Sequence, residues 1–389
     1  MHAYSPPVPA LANPSPRRPA AVIYCEGNFG RIDGKTANGL VRSSERYRIV
    51  AVIDSTCAGD DAGVALGGEA IGIPVVASLD EAFTLAGRTP GGMVAAPDKL
   101  EVLLFGLAPL SGLMSEPDRQ VVLDAIVSGL DIVSGLHEFL NDDAEMSAAA
   151  TLSGTELTDV RRPRATKDLR MFDGSIDDVD CVRIAVLGTD GAIGKRTTST
   201  ILTAALNEAG IHTVMIGTGQ TGMMQGAAYA VALDAIPAQF GVGELEGAVV
   251  AAWEAEHPAV IIVEGQGALS HPAYLSSTVV LRASRPQGVI MQHAPARRVL
   301  SDYPDRAMPS AESEAALIET FGKTTVIGVT INHEGMTMAE VDAAAVLMEA
   351  TLGVPAVDAL WHEPEALVSM VTSAFPALLD RMSVAAATA

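Results

Sequence analysis

The chain has 389 residues, a prior of two to three domains at about 150 residues each, and enough length to bury a core without metal or disulfide staples. Hydrophobic residues make up 49%, charged residues 19% and aromatics only 4%, with 36 glycines, which excludes a disordered chain and suits an Ala/Gly-rich α/β protein better than a β-sandwich. With 25 Lys+Arg against 47 Asp+Glu the formal net charge is −22, which argues against general binding to nucleic acid or anionic membranes while leaving room for a local basic pocket.

Residues 1–19 hold six prolines and few apolar side chains, the composition of a disordered or surface-draped tail. From Ala20 onward short apolar runs alternate with longer helical stretches. The runs are AAVIYCEG (20–27), RIVAVIDS (48–55), IPVVAS (73–78), GMVAA (92–96), EVLLFGLAP (101–109) and LDIVSGLHEF (130–139). Continuous apolar strands between helices predict a parallel sheet covered on both faces, here a Rossmann-like domain over 20–150. The polar stretch 151–180 carries Arg161, Arg162, Arg164, Lys167 and Arg170 and reads as an interdomain linker. Its basic cluster is either a solvated face or lies near an anionic ligand.

A second α/β series fills 181–389. Its strand candidates are CVRIAVLG (181–188), HTVMIGTG (212–219), AVIIVEG (259–265), QGVIMQH (287–293), TVIGVTIN (325–332) and VPAVDAL (354–360), with helices predicted over 195–210 and 338–353. The fold class expected is α/β, an N-terminal Rossmann-like domain followed by a C-terminal P-loop NTPase-like doubly wound parallel sheet. No apolar run approaches the ~18 residues of a membrane span, and no signal pattern opens the chain. The odd, widely spaced Cys25, Cys57 and Cys181 suit reduced thiols, so a cytoplasmic location is expected.

The most informative segment is RIAVLGTDGAIGKRTTSTIL. A buried strand ends at Gly188, a glycine-rich loop follows, and a helix opens after Gly194-Lys195. Glycines let backbone N–H groups converge on phosphate oxygens, the helix N-terminus adds its partial positive charge, and Lys195 adds a full one. Strand, loop and helix stand in the order a phosphate loop requires. Gly188, Thr189, Asp190, Gly191, Gly194, Lys195, Arg196, Thr197 and Thr198 are therefore expected to bind the phosphates of a cofactor. A second Gly-Lys loop, EGNFGRIDGKT (26–36), lacks the four-residue gap. It is either a tight strand-to-helix turn or a second anion pocket.

In a doubly wound sheet ligands sit at the carboxyl ends of the strands. Three strand ends here carry polar loops, the first two rich in glycine. In MIGTGQTGMMQG, Gln220, Thr221 and Gln225 could read a carboxylate or amine. In IIVEGQGALSHPAYLSS, Glu264 closes an apolar strand, where a carboxylate is rarely structural unless paired. Glu264 could be a general base toward a substrate amine or a Mg²⁺ ligand, with Asp190 and His271 as further catalytic candidates and Gln266 facing the substrate. In MQHAPARRVLSDYP, His293, Arg297 and Arg298 follow the strand, and Arg297 suits a carboxylate clamp.

The loop Gly188-Thr189-Asp190-x-x-x-Gly194-Lys195 resembles that of dethiobiotin synthetase and its relatives. They place a Ser or Thr for Mg²⁺ after the lysine, where this chain has Arg196. The resemblance implies a nucleotide-base contact at Asn332 and a metal or nucleotide role for Glu264. The set GLHEFLNDD (135–143), DVRRPR (159–164), GTDGAIGKRTT (188–198), GTGQTGMMQGA (217–227) and VEGQGALSHPAYLSS (263–277) resembles the P-loop family known as domain of unknown function 1611, over roughly residues 20–380. That resemblance implies a D-glutamate N-acetyltransferase-like enzyme using acetyl-CoA on a small amino acid. The alternative is an ATP and Mg²⁺-dependent ligase or kinase acting on a small carboxylate. The expected partners are a small-molecule substrate and a second copy of the chain, with no nucleic acid and no membrane.

Overall fold

The computed structural model describes residues 17–87 and 99–379 and divides the chain into two compact units. The expected strand at 92–96, and all but the last three residues of the proline-rich 1–19, lie outside the described residues.

The N-terminal unit runs to Pro163 and also takes in Gln220–Gly226. Its sheet holds β1 (Ala20–Tyr24), β2 (Arg48–Ile53), β3 (Val75–Val76), β4 (Val102–Phe105), β5 (Asp131–Ser134) and β6 (Leu157–Asp159) in the order β3-β2-β1-β4-β5-β6. Every pairing is parallel, and this is the strand order of the dinucleotide-binding folds. The central β1 and β4 are buried along their whole length, which is why AAVIY and VLLF are continuous apolar runs rather than alternating ones. Helix starts follow local chemistry. Ser78 and Ser115 accept from the N–H groups of Glu81 and Asp118, and Asp143 accepts from those of Glu145 and Met146.

The C-terminal unit comprises Arg164–Gly219 and the chain from Ala227. Its strands are β7 (Val182–Gly188), β8 (Thr213–Gly217), β9 (Tyr229–Ala230), β10 (Val260–Glu264), β11 (Gly288–His293), β12 (Thr325–Ile331) and β13 (Ala356–Asp358). They form a parallel sheet in the order β13-β12-β11-β7-β10-β8-β9. The alternation of the pleat divides two cores. Ala185, Leu187, Ile261 and Val263 face one cluster with Leu245, Val249 and Val280, while Ile184, Val186, Val260 and Ile262 face another with Leu202, Leu206 and Met370. The chain leaves β7 toward β8 on one side and leaves β10 toward β11 on the other. That reversal opens a crevice at the carboxyl end of β7.

The segment 151–180, expected as a linker, is structured throughout and shared between the units. The helix Ala144–Ser153 runs past 150, and β6 completes the first sheet by pairing with β5. The arginines of the basic cluster are held by acceptors of the chain rather than forming an open anion patch, while Lys167 stands exposed. Arg162 meets Asp142 at 2.8 Å, and Arg164 meets the buried Glu244 at 2.6 Å. Arg170 meets Asp173 at 2.9 Å. Glu246, fully buried in the helix Ala238–Glu256, accepts from the N–H groups of Asp173, Gly174 and Ile176. Buried carboxylates demand such partners, so the segment is fastened down.

Among the described residues no helix is long and apolar enough to cross a membrane.

Candidate active site

The loop after β7 turns into the helix Lys195–Glu208 through Ala192 and Gly194, both with positive φ, at 48° and 100°. Lys195 is only 6% exposed, and its Nζ donates to the carbonyl of Asp190 across the loop. Burial pushes its ammonium down to about 8, although the charges of Asp190 and Glu264 pull the other way. Among the described residues the N–H groups of Ile193, Gly194, Lys195 and Thr197 find no acceptor in the chain. A cradle of unspent N–H groups around a buried cation is a site built for an anion.

Neighbouring strand ends brace this loop. Gln292 Oε1 accepts from Thr198 Oγ1 at 2.6 Å and also from Thr330 Oγ1. Asn332 Nδ2 donates to the Ile193 carbonyl at 2.9 Å, so the residue expected at a nucleotide base holds the loop itself. Thr189 Oγ1 lies 3.0 Å from Nδ1 of His293, whose ring burial pushes down to about 4, leaving it neutral at physiological pH. Asp190 is fully buried. Its carboxylate accepts from Arg297, Ser301 N and Gly191 N at 2.8, 2.8 and 2.7 Å. Arg297 also pairs with Glu334. Both residues are therefore engaged in loop geometry: Asp190 accepts three donors from the chain, and both terminal nitrogens of Arg297 are paired.

Glu264 ends β10 beside β7 and is 5% exposed. Burial pushes its carboxyl above the ordinary carboxylate range, against the charges of Arg196 and Lys195 and a 3.1 Å hydrogen bond from Thr218 N. Gln266 donates to the Thr218 carbonyl and so steadies the same strand end. Among the described residues no three His, Cys, Asp or Glu side chains converge on a point. A cation at Glu264 would draw most of its ligands from phosphate and water.

Gln220, Thr221 and Gln225 form a short buried helix, Gln220–Gln225, that belongs to the N-terminal unit. Gln220 accepts from Arg161 at 2.6 Å, Thr221 Oγ1 lies 2.9 Å from Thr36 Oγ1, and Gln225 donates to the Gly39 carbonyl at 2.7 Å. The structure thus gathers Gly188–Thr198, Glu264, Gln266, His271, Arg297 and Asn332 in one unit and places these three in the other.

His271, 7% exposed, lines a cavity of about 400 Å³ together with Ser270, Leu300, Asp305 and Arg306. Residues not singled out from the sequence brace this wall. Buried Glu314 accepts from Leu269 N, Ser270 N and Ser270 Oγ, while Tyr274 donates to Asp302. Polar residues inside apolar patterns were the available signal, as with Gln292 in the strand GVIMQH.

Two family models match the chain: the Rossmann-like domain DUF1611_N over residues 55–163 and the P-loop domain DUF1611_C over 170–368. A protein of Tritonibacter scottomollicae named D-glutamate N-acetyltransferase is 29% identical over 281 residues, 70% of this chain and 81% of the relative. One of the same name from a Pseudoalteromonas species is 28% identical, over 69% of this chain and 80% of its own length. The crystal structure of a DUF1611 family protein from Anabaena variabilis superposes with a TM-score of 0.82 at 27% identity, covering 92% of this chain and all of the other.

Proposed function

This chain belongs to the DUF1611 family, and on that premise we propose that it is an acetyl-CoA-dependent N-acetyltransferase acting on a small acidic amino acid of the D-glutamate type. One observation carries the reading: a buried carboxyl, Glu264, held above its ordinary range beside a phosphate cradle whose Lys195 is followed by a second cation, Arg196. The names of the two relatives support it at the level of the family.

The residues present fit coenzyme A. Its phosphates call for several N–H donors and more than one positive charge, which the 193–197 backbone, Lys195 and Arg196 supply. Acetyl-CoA brings the acetyl group as an activated thioester. The chain holds the phosphates, and Glu264 handles the proton. Forming the new N–C bond costs the attacking amine one proton, which Glu264 accepts, and breaking the C–S bond releases a thiolate, to which the same carboxyl returns it. A carboxyl raised by desolvation is matched to such work near neutral pH. Asp190 and His271 are poorer bases. Asp190 is ion-paired with Arg297 and already accepts three donors, and His271 Nδ1 already accepts from Ala273 N at 3.2 Å, which puts the ring proton of the neutral form on Nε2.

The test combines thermal shift with product detection. Acetyl-CoA and CoA are expected to stabilise the protein, by about 2.7 kcal/mol at one hundred times Kd. D-Glutamate with acetyl-CoA is expected to yield the N-acetyl product in the presence of EDTA. Stabilisation by ATP and Mg²⁺ alone, with no N-acetyl product, would overturn this in favour of a ligase or kinase.

A further inference from the structure

We propose that the cavity walled by His271 and Arg306 is the amino-acid subsite, with Arg306 and His271 Nε2–H holding a carboxylate of the acceptor and Asp305 drawing in its ammonium form, which gives one proton to water before the neutral amine attacks. This rests on the transferase reading above and adds the residues that choose the acceptor.

Three observations on this wall point to a ligand. His271 Nε2 is buried and has no hydrogen-bond partner, while the other nitrogen is satisfied by Ala273 N. Its ring is fixed by stacking on Tyr274, with centroids 4.2 Å apart and planes 13° from parallel, and by Tyr303 at 5.6 Å. A buried N–H donor without an acceptor costs about 1–3 kcal/mol, a deficit that a carboxylate oxygen would remove. Next, Arg306 and Asp305 stand exposed at the cavity and pair with nothing among the described residues, whereas the half-buried Arg164, Arg170 and Arg297 each meet a carboxylate. Third, the ribbon that carries them is ordered by its backbone. Leu300 N donates to the Arg306 carbonyl at 3.0 Å, Arg306 N to the Tyr303 carbonyl at 2.9 Å, and Met308 N to the Arg298 carbonyl at 3.0 Å.

The place is right as well. Ser301, on this ribbon, donates its N–H to Asp190 in the phosphate loop, so cavity wall and cradle are tied together. A volume of about 400 Å³ lies within the range of small-molecule sites and is ample for one amino acid. A lone guanidinium and a neutral imidazole N–H make a carboxylate site. A carboxylate at the rim, Asp305, rewards a ligand that also carries an ammonium and penalises a plain dicarboxylate. With Arg297 committed to Asp190 and Glu334, the clamp for the acceptor falls to Arg306.

The experiment is calorimetric titration of the full chain and of Arg306→Ala and His271→Phe with D-glutamate, L-glutamate, glutarate and CoA. Phenylalanine keeps the stacking ring and removes the donor. The wild type is expected to bind a glutamate more tightly than glutarate. Arg306→Ala should weaken glutamate binding about 10- to 100-fold and His271→Phe about tenfold, with CoA affinity retained in both. Unchanged glutamate affinity in both variants overturns the subsite and leaves the transferase reading standing, and a wild type that binds neither glutamate overturns it too. Arg306-dependent glutamate binding in a protein that does not bind CoA supports the subsite and overturns the transferase reading.

Discussion

Two loops of this molecule look alike in sequence and differ in what they do with their hydrogen bonds. Both follow a buried parallel strand, are rich in glycine, and reach a helix through Gly-Lys: 26–36 after β1 and 188–198 after β7. In the first, Asp54 at the end of β2 accepts from Phe29 N and from Thr56 N and Oγ1, Gly30 N donates to Asn38, and Lys35 stands exposed in water. Most of its donors are consumed by the chain, the N–H groups of Asn28, Arg31, Gly34 and Lys35 also meeting backbone carbonyls, so it is a tight turn. In the second, among the described residues, the N–H groups of Ile193, Gly194, Lys195 and Thr197 remain unspent, the lysine is buried, and the nearby carboxylate is raised by desolvation. Spacing alone does not make an anion site; the side chain that fills the cradle decides.

The two strand-end carboxylates offer the sharpest way to break the comparison. Glu264→Gln is expected to lower turnover by about 10²–10⁴-fold with CoA affinity little changed, the usual contribution of a positioned base. Asp54→Asn should leave the turnover of the folded enzyme alone. Burial pushes the Asp54 carboxyl up, but hydrogen bonds from Thr56, Phe29 and Gly27 outweigh it and leave the group below its ordinary value. Its stabilising effect is thus present above the unfolded carboxylate range and is lost as pH falls through it, so Asp54→Asn should flatten the acid limb of the stability curve. Steady-state kinetics and acid titration of both variants check the pair.

Glycine substitutions give a smaller contrast. At Gly34 a Cβ would lie 2.0 Å from the Asn28 carbonyl oxygen, so Gly34→Ala should cost about 2–4 kcal/mol in denaturant unfolding. At Gly191 the nearest atom to a new Cβ is Ser301 Oγ at 3.6 Å, an ordinary contact, so Gly191→Ala should stay within about 0.5 kcal/mol. A large loss at Gly191 with none at Gly34 would reverse the assignment of packed turn and open cradle.

The pH dependence is gentler still. Because burial pushes free Lys195 down to about 8 while a bound phosphate favours its charged form, binding above pH 8 must take up a proton. CoA affinity should therefore fall by up to about tenfold per pH unit above 8 and be flat below 7. Lys195→Arg, charged throughout, should flatten the profile. An unchanged slope in that variant would place the titration elsewhere.

The strands of both sheets were legible because they are buried on both faces and so write themselves as apolar runs. The exceptions were β6 and β9, of three and two residues, too short to carry a period. The helix Gln220–Gln225 was opaque for a related reason: six residues with glycine and glutamine show no face, and only tertiary contacts with Thr36, Gly39 and Arg161 settle them. At the site, the phosphate loop and Glu264 could be read from strand, loop and helix order. The commitment of Arg297 to Asp190 could not, since those residues are 107 apart in the chain and either could have faced a ligand. Arg306 carried only a faint signal, an Asp-Arg pair between Pro304 and Pro309, and its importance rests on what its neighbours leave unpaired.

The central claim, that the loop after β7 and not the loop after β1 holds the coenzyme phosphates, is tested most directly by titrating CoA into the wild type, Lys195→Ala and Lys35→Ala by calorimetry at pH 7. The account predicts a loss of about 10- to 100-fold for Lys195→Ala, the worth of one charge-assisted hydrogen bond in a desolvated site, and no change for Lys35→Ala. Unchanged affinity in Lys195→Ala, or an equal loss in both variants, would contradict it.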